Sequence, residues 1–275
     1  MNPMPLFSLD DGHLYYHRYG DGQPVVFVND WPLSHHYWGP AAIILRSGFS
    51  VIGYDPRGAG KSNTFSEQAV FDIETQAEDL HRLIEGLGLR DVHLVGHSIG
   101  ALVAGLCLKA HPQDVRTVTV INPSLRPGVS EATDRFLIYT QGVLKLRNLA
   151  AVPLLRNLLL TRYSYGRLPE SYRRPVIEDF LTVNFRAACE TIDSATDERT
   201  LTAFAESLTA THRPVLIVAC AKDKLCSLET ARWLYETIQT GSLVTLNTQF
   251  HFPMLEEPGK FTALLTDFFV KSSHL

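Results

Sequence analysis

The stretch Val92-His93-Leu94-Val95-Gly96-His97-Ser98-Ile99-Gly100-Ala101 constrains the fold more than any other part of the chain. A short apolar run meets Gly-x-Ser-x-Gly, and apolar residues at helical spacing follow at Leu102, Val103, Leu106 and Leu108. A strand that turns into a helix through a single residue forces that residue into strained backbone geometry. Glycines at Gly96 and Gly100 let the strand and helix approach closely enough to permit it. Such a turn presents the Ser98 hydroxyl at a helix N-terminus, where the Ile99 N–H can stabilise an oxyanion.

The remaining strands are legible by the same means. Leu6 to Leu9 and Leu14 to Arg18, joined through Asp11-Gly12, predict a hairpin. Val25-Val26-Phe27-Val28 has no polar face, as expected of a strand covered on both sides. Ser50 to Tyr54, Val115 to Ile121, Pro214 to Ala219 and Leu243 to Leu246 are further strands. Helical periods run from Glu74 to Leu87, from Leu228 to Ile238 and from Phe261 to Phe269. Strands alternating with helices at this spacing predict an α/β fold with a mainly parallel sheet. With 275 residues and 45% hydrophobic content, one large core domain is expected.

Between Ser124 and Arg213 the alternation stops. Helical periodicity appears over Ala132 to Leu146, Val152 to Leu160, Ser171 to Phe185 and Thr200 to Leu208. This predicts a helical lid over 124–213, inserted into a core made of 1–123 and 214–275. The first half of the lid carries Arg126, Arg135, Lys145, Arg147, Arg156, Arg162, Arg167, Arg173 and Arg174. A solvated helical face explains them; attraction of an anionic substrate or an acidic carrier protein is the sharper alternative. Leu154, Leu155, Leu158, Leu159 and Leu160 are expected in the lid core or pocket wall.

Several functions are disfavoured by composition. The net charge is −4, and no basic run interleaved with aromatic residues suggests nucleic acid. No apolar run approaches the ~20 residues of a membrane span. Cys107, Cys189, Cys220 and Cys226 lack metal-ligand spacing, and the N-terminal residues do not resemble a signal peptide, so a reduced, cytoplasmic protein is expected. Asp55-Pro56-Arg57-Gly58-Ala59-Gly60-Lys61-Ser62 looks like a phosphate loop, but Asp55 stands where the first glycine must be. A carboxylate would repel phosphate, so a turn held by Asp55 and Arg57 is the better reading. His35 and His36 have no carboxylate at ligand spacing and are expected in a loop, with no metal.

A serine hydroxyl needs a base, and the base needs a third group to hold its tautomer. Ser98, Asp223 and His251 each follow a predicted strand. In an open parallel sheet the strand C-termini share one rim, so the three can meet there. Asn122, at the end of another strand, cannot serve as the acid.

Gly96-His97-Ser98-Ile99-Gly100, the turn from Asp55 to Ser62, Asp223, and His251-Phe252-Pro253-x-x-Glu256-x-Pro258 together resemble the α/β-hydrolase superfamily. The resemblance covers nearly the whole chain outside the lid. It implies an eight-stranded, mostly parallel sheet flanked by helices, with a helical cap after the sixth strand. Relatives with this triad include esterases, lactonases, cofactor-free peroxidases, hydroxynitrile lyases, acyltransferases and hormone sensors. Members commonly carry His-Gly after the third strand, and the next residue donates the second oxyanion N–H. Here Asn29 and Asp30 stand in those places, which makes Trp31 the donor beside Ile99. Asn for His, with a Trp nine residues on that matches Trp38, also occurs in proteins similar to 3-oxoadipate enol-lactonases.

These features predict a serine hydrolase of a small ester or lactone. Ser98 is the nucleophile, His251 the base and Asp223 its orienting acid. Asp30, Asn29 and His97 are candidate substrate contacts. No cofactor is called for, and a monomer or homodimer is expected. Two alternatives remain open: a lyase, elimination or acyl-transfer enzyme that uses Asp30, and a ligand sensor of the same fold.

Overall fold

The structure is a computed structural model that describes residues 5–123, 125–146, 170–223, 226–238, 241–248 and 251–272. Eight strands form one sheet: β1 (Leu6–Ser8), β2 (His13–Tyr19), β3 (Gln23–Val28), β4 (Phe49–Tyr54), β5 (Val92–His97), β6 (Val115–Ile121), β7 (Val215–Cys220) and β8 (Gly241–Leu246). Their order is β1-β2-β4-β3-β5-β6-β7-β8. The first two strands pair antiparallel, β2 runs antiparallel to β4, and the other pairings are parallel. The chain therefore folds as an eight-stranded, mostly parallel α/β sheet flanked by helices, as the resemblance implied.

Side chains on a strand alternate between faces, and the runs without a polar face divide accordingly. Val26, Val28, Leu94 and Ile217 join one buried cluster with helices α2 (Ile73–Gly86) and α3 (Ile99–Ala110). Val25, Phe27, Val95, Leu216 and Val218 join the opposite cluster. There they meet α1 (Gly39–Leu45), with Ala41 and Leu45, and a C-terminal helix over Pro258–Ser272, with Phe261, Leu265 and Phe269. Helix α3 is buried from Ile99 to Leu108, as a helix that is apolar all round should be. Asp72 caps α2 by accepting from the Thr75 N–H, and Gly88 at φ 66° follows its end.

The segment between β6 and β7 holds four described helices: α4 (Ser130–Leu146), α5 (Glu170–Thr182), α6 (Phe185–Thr196) and α7 (Glu198–Thr209). Two of them differ from expectation. The period expected over Ser171 to Phe185 ends at Thr182, and Phe185 opens a separate helix. Its Asn184 cap accepts from the Ala187 N–H, so an ordinary polar side chain breaks the run where no Gly or Pro marks it. The expected helix from Val152 to Leu160, with its five leucines, lies outside the described residues. So do Arg147, Arg156, Arg162 and Arg167.

This segment grips the core at many points. Asn184 N–H donates to the Gly58 carbonyl. A Cβ on Gly58 would lie 2.2 Å from the Ala187 Cβ, so only glycine allows the approach. Phe204 packs on α3 at Gly105, where a Cβ would lie 2.5 Å from its ring. No described helix is long and apolar enough to cross a membrane.

Candidate active site

Pairing registers bring the strand ends into line. Val28 pairs with Gly96, His97 with Ile121, Ile121 with Val218, and Cys220 with Leu246. Asp30, Ser98, Asn122, Asp223 and His251 follow those ends and so share one rim of the sheet.

Ser98 has φ 54° and ψ −116° and is 4% exposed. A non-glycine residue in that region is strained and is held there by its surroundings. Its N–H donates to the Ile121 carbonyl, and α3 begins at the next residue. A Cβ on Gly100 would lie 2.4 Å from the carbonyl oxygens of Val28 and Asn29, and one on Gly96 2.5 Å from the Gly100 carbonyl oxygen. Both glycines are therefore required by the close crossing of β3, β5 and α3.

Asp223 and His251 are joined at 2.6 Å, Oδ2 to Nδ1. Burial opposes a charge on His251, but the Asp223 carboxylate outweighs it, and the imidazole binds its proton well above the usual range. Cys226 Sγ lies 3.6 Å from the same Nδ1. The sequence showed Cys226 only as an apolar thiol, yet it touches the site. His251 is also fixed through its backbone, because its carbonyl accepts from His97 Nε2 and Asn122 Nδ2, each at 2.8 Å. Asn122 Oδ1 in turn accepts from the Cys220 N–H. The side chain that could not serve as the acid is a brace for the histidine loop. His97 is fully buried, and burial pushes its imidazole down to about 3, so it is neutral. Its Nε2 carries the hydrogen given to the His251 carbonyl, which leaves Nδ1 a buried lone pair with no hydrogen-bond partner among the described residues.

Asn29 lines the cavity beside Asp30, but its amide is committed elsewhere. Nδ2 donates to the Leu33 and Tyr54 carbonyls, and Oδ1 accepts from Trp38 Nε1 at 3.0 Å. That last bond gives a physical reason for an Asn with a Trp nine residues later. Asp30 is 5% exposed, and its carboxylate points inward. Oδ1 accepts from the Trp31 N–H at 2.8 Å, and Oδ2 lies 3.4 Å from His251 Nε2. The N–H expected to face a substrate oxygen is thus held by the preceding side chain. Trp31 Nε1 donates to the Ala188 carbonyl, which ties this loop to α6.

Two recesses meet at Ile99. One is lined by Asp30, Trp31, Arg57, Gln76 and Thr191, and the other, mainly apolar, by Ser98, Leu102, Pro123, Leu125 and Phe204. Two groups among the described residues bring ligand-capable atoms within 4.8 Å of one another: Asp30, His97 and His251, and Asp223, Cys226 and His251. Both include His251, so a cation in either would take up a nitrogen of the imidazole that Asp223 holds.

The turn from Asp55 to Ser62 is structural. Asp55 Oδ2 accepts from the Lys61 N–H, and its Oδ1 pairs with His35 Nδ1 at 2.6 Å. His35 and His36 stand in a 3-10 turn, His35–Trp38. His35 is buried on Asp55, while His36 lines a surface cavity with Lys61 and Asp179.

A family model described as the alpha/beta hydrolase fold matches residues 23–258. The non-heme chloroperoxidase CPO-A1 of Kitasatospora aureofaciens is 38% identical over 99 residues, 35% of each chain. The putative carbamate hydrolase RutD of Escherichia coli O157:H7 is 32% identical over 109 residues, 39% of this chain and 40% of that one. These matches span well under half the length of the curated relatives. An esterase from Exiguobacterium antarcticum superposes with a TM-score of 0.81 at 22% identity, covering 96% and 97% of the two chains. The enol-lactonase of Burkholderia xenovorans LB400 gives 0.77 at 19% identity, covering 97% and 100%. A match over residues 23–258, on a sheet with this strand order, places the chain in the alpha/beta hydrolase fold family.

Proposed function

We propose that the protein is a serine hydrolase of small carboxylic esters or lactones, acting through an acyl-enzyme on Ser98. The observation that carries this reading is the strained Ser98 at the start of α3, on the same rim as the His251–Asp223 pair at 2.6 Å. Ser98 Oγ attacks the carbonyl carbon while His251 Nε2 takes its proton, then returns it to the leaving oxygen. Asp223 holds the imidazole tautomer. The Ile99 N–H, at the positive end of α3, faces the developing oxyanion. Water repeats the sequence to release the acid. The apolar recess by Leu125 and Phe204 suits the hydrocarbon part of the substrate. Helices α4 to α7 act as the cap over this rim. The four cysteines are thiols, not disulfides, which fits a reducing compartment.

The test is turnover of a short-chain aryl ester by wild type and S98A, followed by absorbance and by intact mass. Release that falls at least about 10⁴-fold in S98A, with an acyl adduct on wild type alone, supports the reading. No release and no adduct in wild type, or equal release by S98A, would overturn it. One observation favours a second reading, a lyase or elimination enzyme: the Asp30 carboxylate 3.4 Å from His251 Nε2 could act as a base.

A further inference from the structure

We propose that the surface cavity between α5 and the turn at Lys61 binds a small primary ammonium, held by the free oxygen of Asp179 together with Ser34, His36 and Glu178. The cavity shares no lining residue with the two recesses that meet at Ile99, so the site stands apart from the proposed hydrolysis and does not rest on it.

The cavity measures about 270 Å³, far more than the ~30 Å³ share of one water. Its floor is acidic. Asp179 is 7% exposed, and both hydrogen bonds to its carboxylate, from the Ser34 N–H and hydroxyl, fall on Oδ2. Oδ1 has no hydrogen-bond partner among the described residues, yet it is not sealed in the core, so it opens into the cavity that Asp179 lines. An oxygen left unpaired on a residue this buried calls for a donor. Burial, reinforced by Asp55 and Glu178, raises the Asp179 carboxyl to about 7. Near neutral pH a proton therefore competes for the place that a cation would take.

The other groups that face Asp179 define the guest. Asp55, the second buried carboxylate, is spent on His35 and on the Lys61 N–H, and His17 lies behind His35 with ring centroids 4.6 Å apart. Lys61 Nζ turns to Tyr15, 3.2 Å from its hydroxyl and 4.3 Å from its ring centroid. Partial burial and the neighbouring His35 hold the His36 imidazole below its usual range, so it is neutral and can accept a hydrogen bond. Glu178, at the exposed rim, makes no ion pair among the described residues. Three carboxylates against one committed lysine favour a cation. A guanidinium would use both carboxylate oxygens for its fork, and Oδ2 is already taken; an ammonium engages its acceptors one at a time. No three His, Cys, Asp or Glu ligand atoms among the described residues of this cavity lie within 4.8 Å of one another, so a chelated metal ion is the poorer fit.

The test is calorimetric titration of the full chain with ethylammonium chloride, against ethanol, tetramethylammonium chloride and sodium chloride, from pH 5 to pH 9. Saturable binding of ethylammonium alone is expected. Its affinity should rise at least about tenfold from pH 5 to pH 8, because the cation binds the ionised carboxylate, and then level off, since an alkylamine keeps its proton up to about pH 10. D179N should bind at least about tenfold more weakly at pH 8, and K61M, which removes a like charge from the lining, at least about twofold more tightly. Equal binding by D179N, or an affinity independent of pH, would place the cation elsewhere and overturn the inference. Tetramethylammonium carries the charge without an N–H, so its binding as tightly as ethylammonium would show a diffuse field rather than this site. That result, or no saturable heat with ethylammonium, overturns the inference equally. Should D179N fail to fold, K61M decides, because Lys61 is exposed: unchanged or weaker binding would sink the proposal.

Discussion

Asp223 reaches His251 at Nδ1, and that bond sets which imidazole nitrogen is left for the proposed proton transfer. An amide in its place can donate as readily as accept, which allows the wrong tautomer. D223N should therefore lower kcat for an aryl ester by about 10³–10⁴-fold, with an unchanged unfolding midpoint. A loss below tenfold would remove Asp223 from the orienting role. At this scale the sequence showed position rather than role. Ser98, Asp223 and His251 each follow a strand, and the eight-stranded order requires those ends to align. Two things were hidden. Whether Asp30 turns inward depends on a side-chain torsion, and Cys226 approaches His251 through a turn that no periodicity describes. The Asn122 brace was visible only as a failed acid, since its bond to the His251 carbonyl links positions far apart in sequence.

Helix α5 touches the core through a buried acid. Asp179 Oδ2 accepts from both the N–H and the hydroxyl of Ser34, each at 2.8 Å, just beyond the loop that carries Asp30 and Trp31. Burial raises this carboxyl to about 7, against 3.8 for an ordinary aspartate, outweighing the two Ser34 hydrogen bonds that favour its charge. The folded form then holds its proton more tightly than the unfolded one. Stability from this group is complete below about pH 4 and is lost as pH rises towards 7. Asparagine keeps an oxygen for Ser34 and carries no charge. D179N should match wild type near pH 4 and be more stable at pH 8, by on the order of 2–4 kcal/mol, measured by urea unfolding. Equal stability at both pH values would refute this account. The same stretch shows where helix boundaries escape pattern reading. Periodicity found α4, α5 and α7, but the stop at Thr182 is set by Asn184 capping, and α1 is too short at Gly39–Leu45 to show a period.

Across the molecule, one guanidinium ties three segments together. Arg57 reaches Asp79 on α2 at 2.6 and 2.8 Å, Asp11 in the first hairpin at 3.1 Å and the Val70 carbonyl at 2.6 Å. It also lies over the Phe65 ring at 4.9 Å. The sequence marked Arg57 as a holder of its own turn; its reach to α2 and the hairpin needed the tertiary fold. Replacing it by methionine leaves Asp79 buried without its cation. R57M should lower global stability by about 3–5 kcal/mol, and R57M/D79L should recover part of the loss. Calorimetry that finds R57M within about 1 kcal/mol of wild type, by the same order-of-magnitude scale, would show that the pair is dispensable.

The site's placement along the rim also has a consequence in time. Its parts leave the ribosome far apart: the Asp30 loop and the Ser98 elbow come early, and His251 comes only after the helices between β6 and β7. At ordinary synthesis rates the roughly 150 positions from Ser98 to His251 take on the order of ten to thirty seconds. For that interval a nascent chain carries Ser98 without His251, so the rim that brings them together forms only after the helices between β6 and β7, and β8 behind them, have been made.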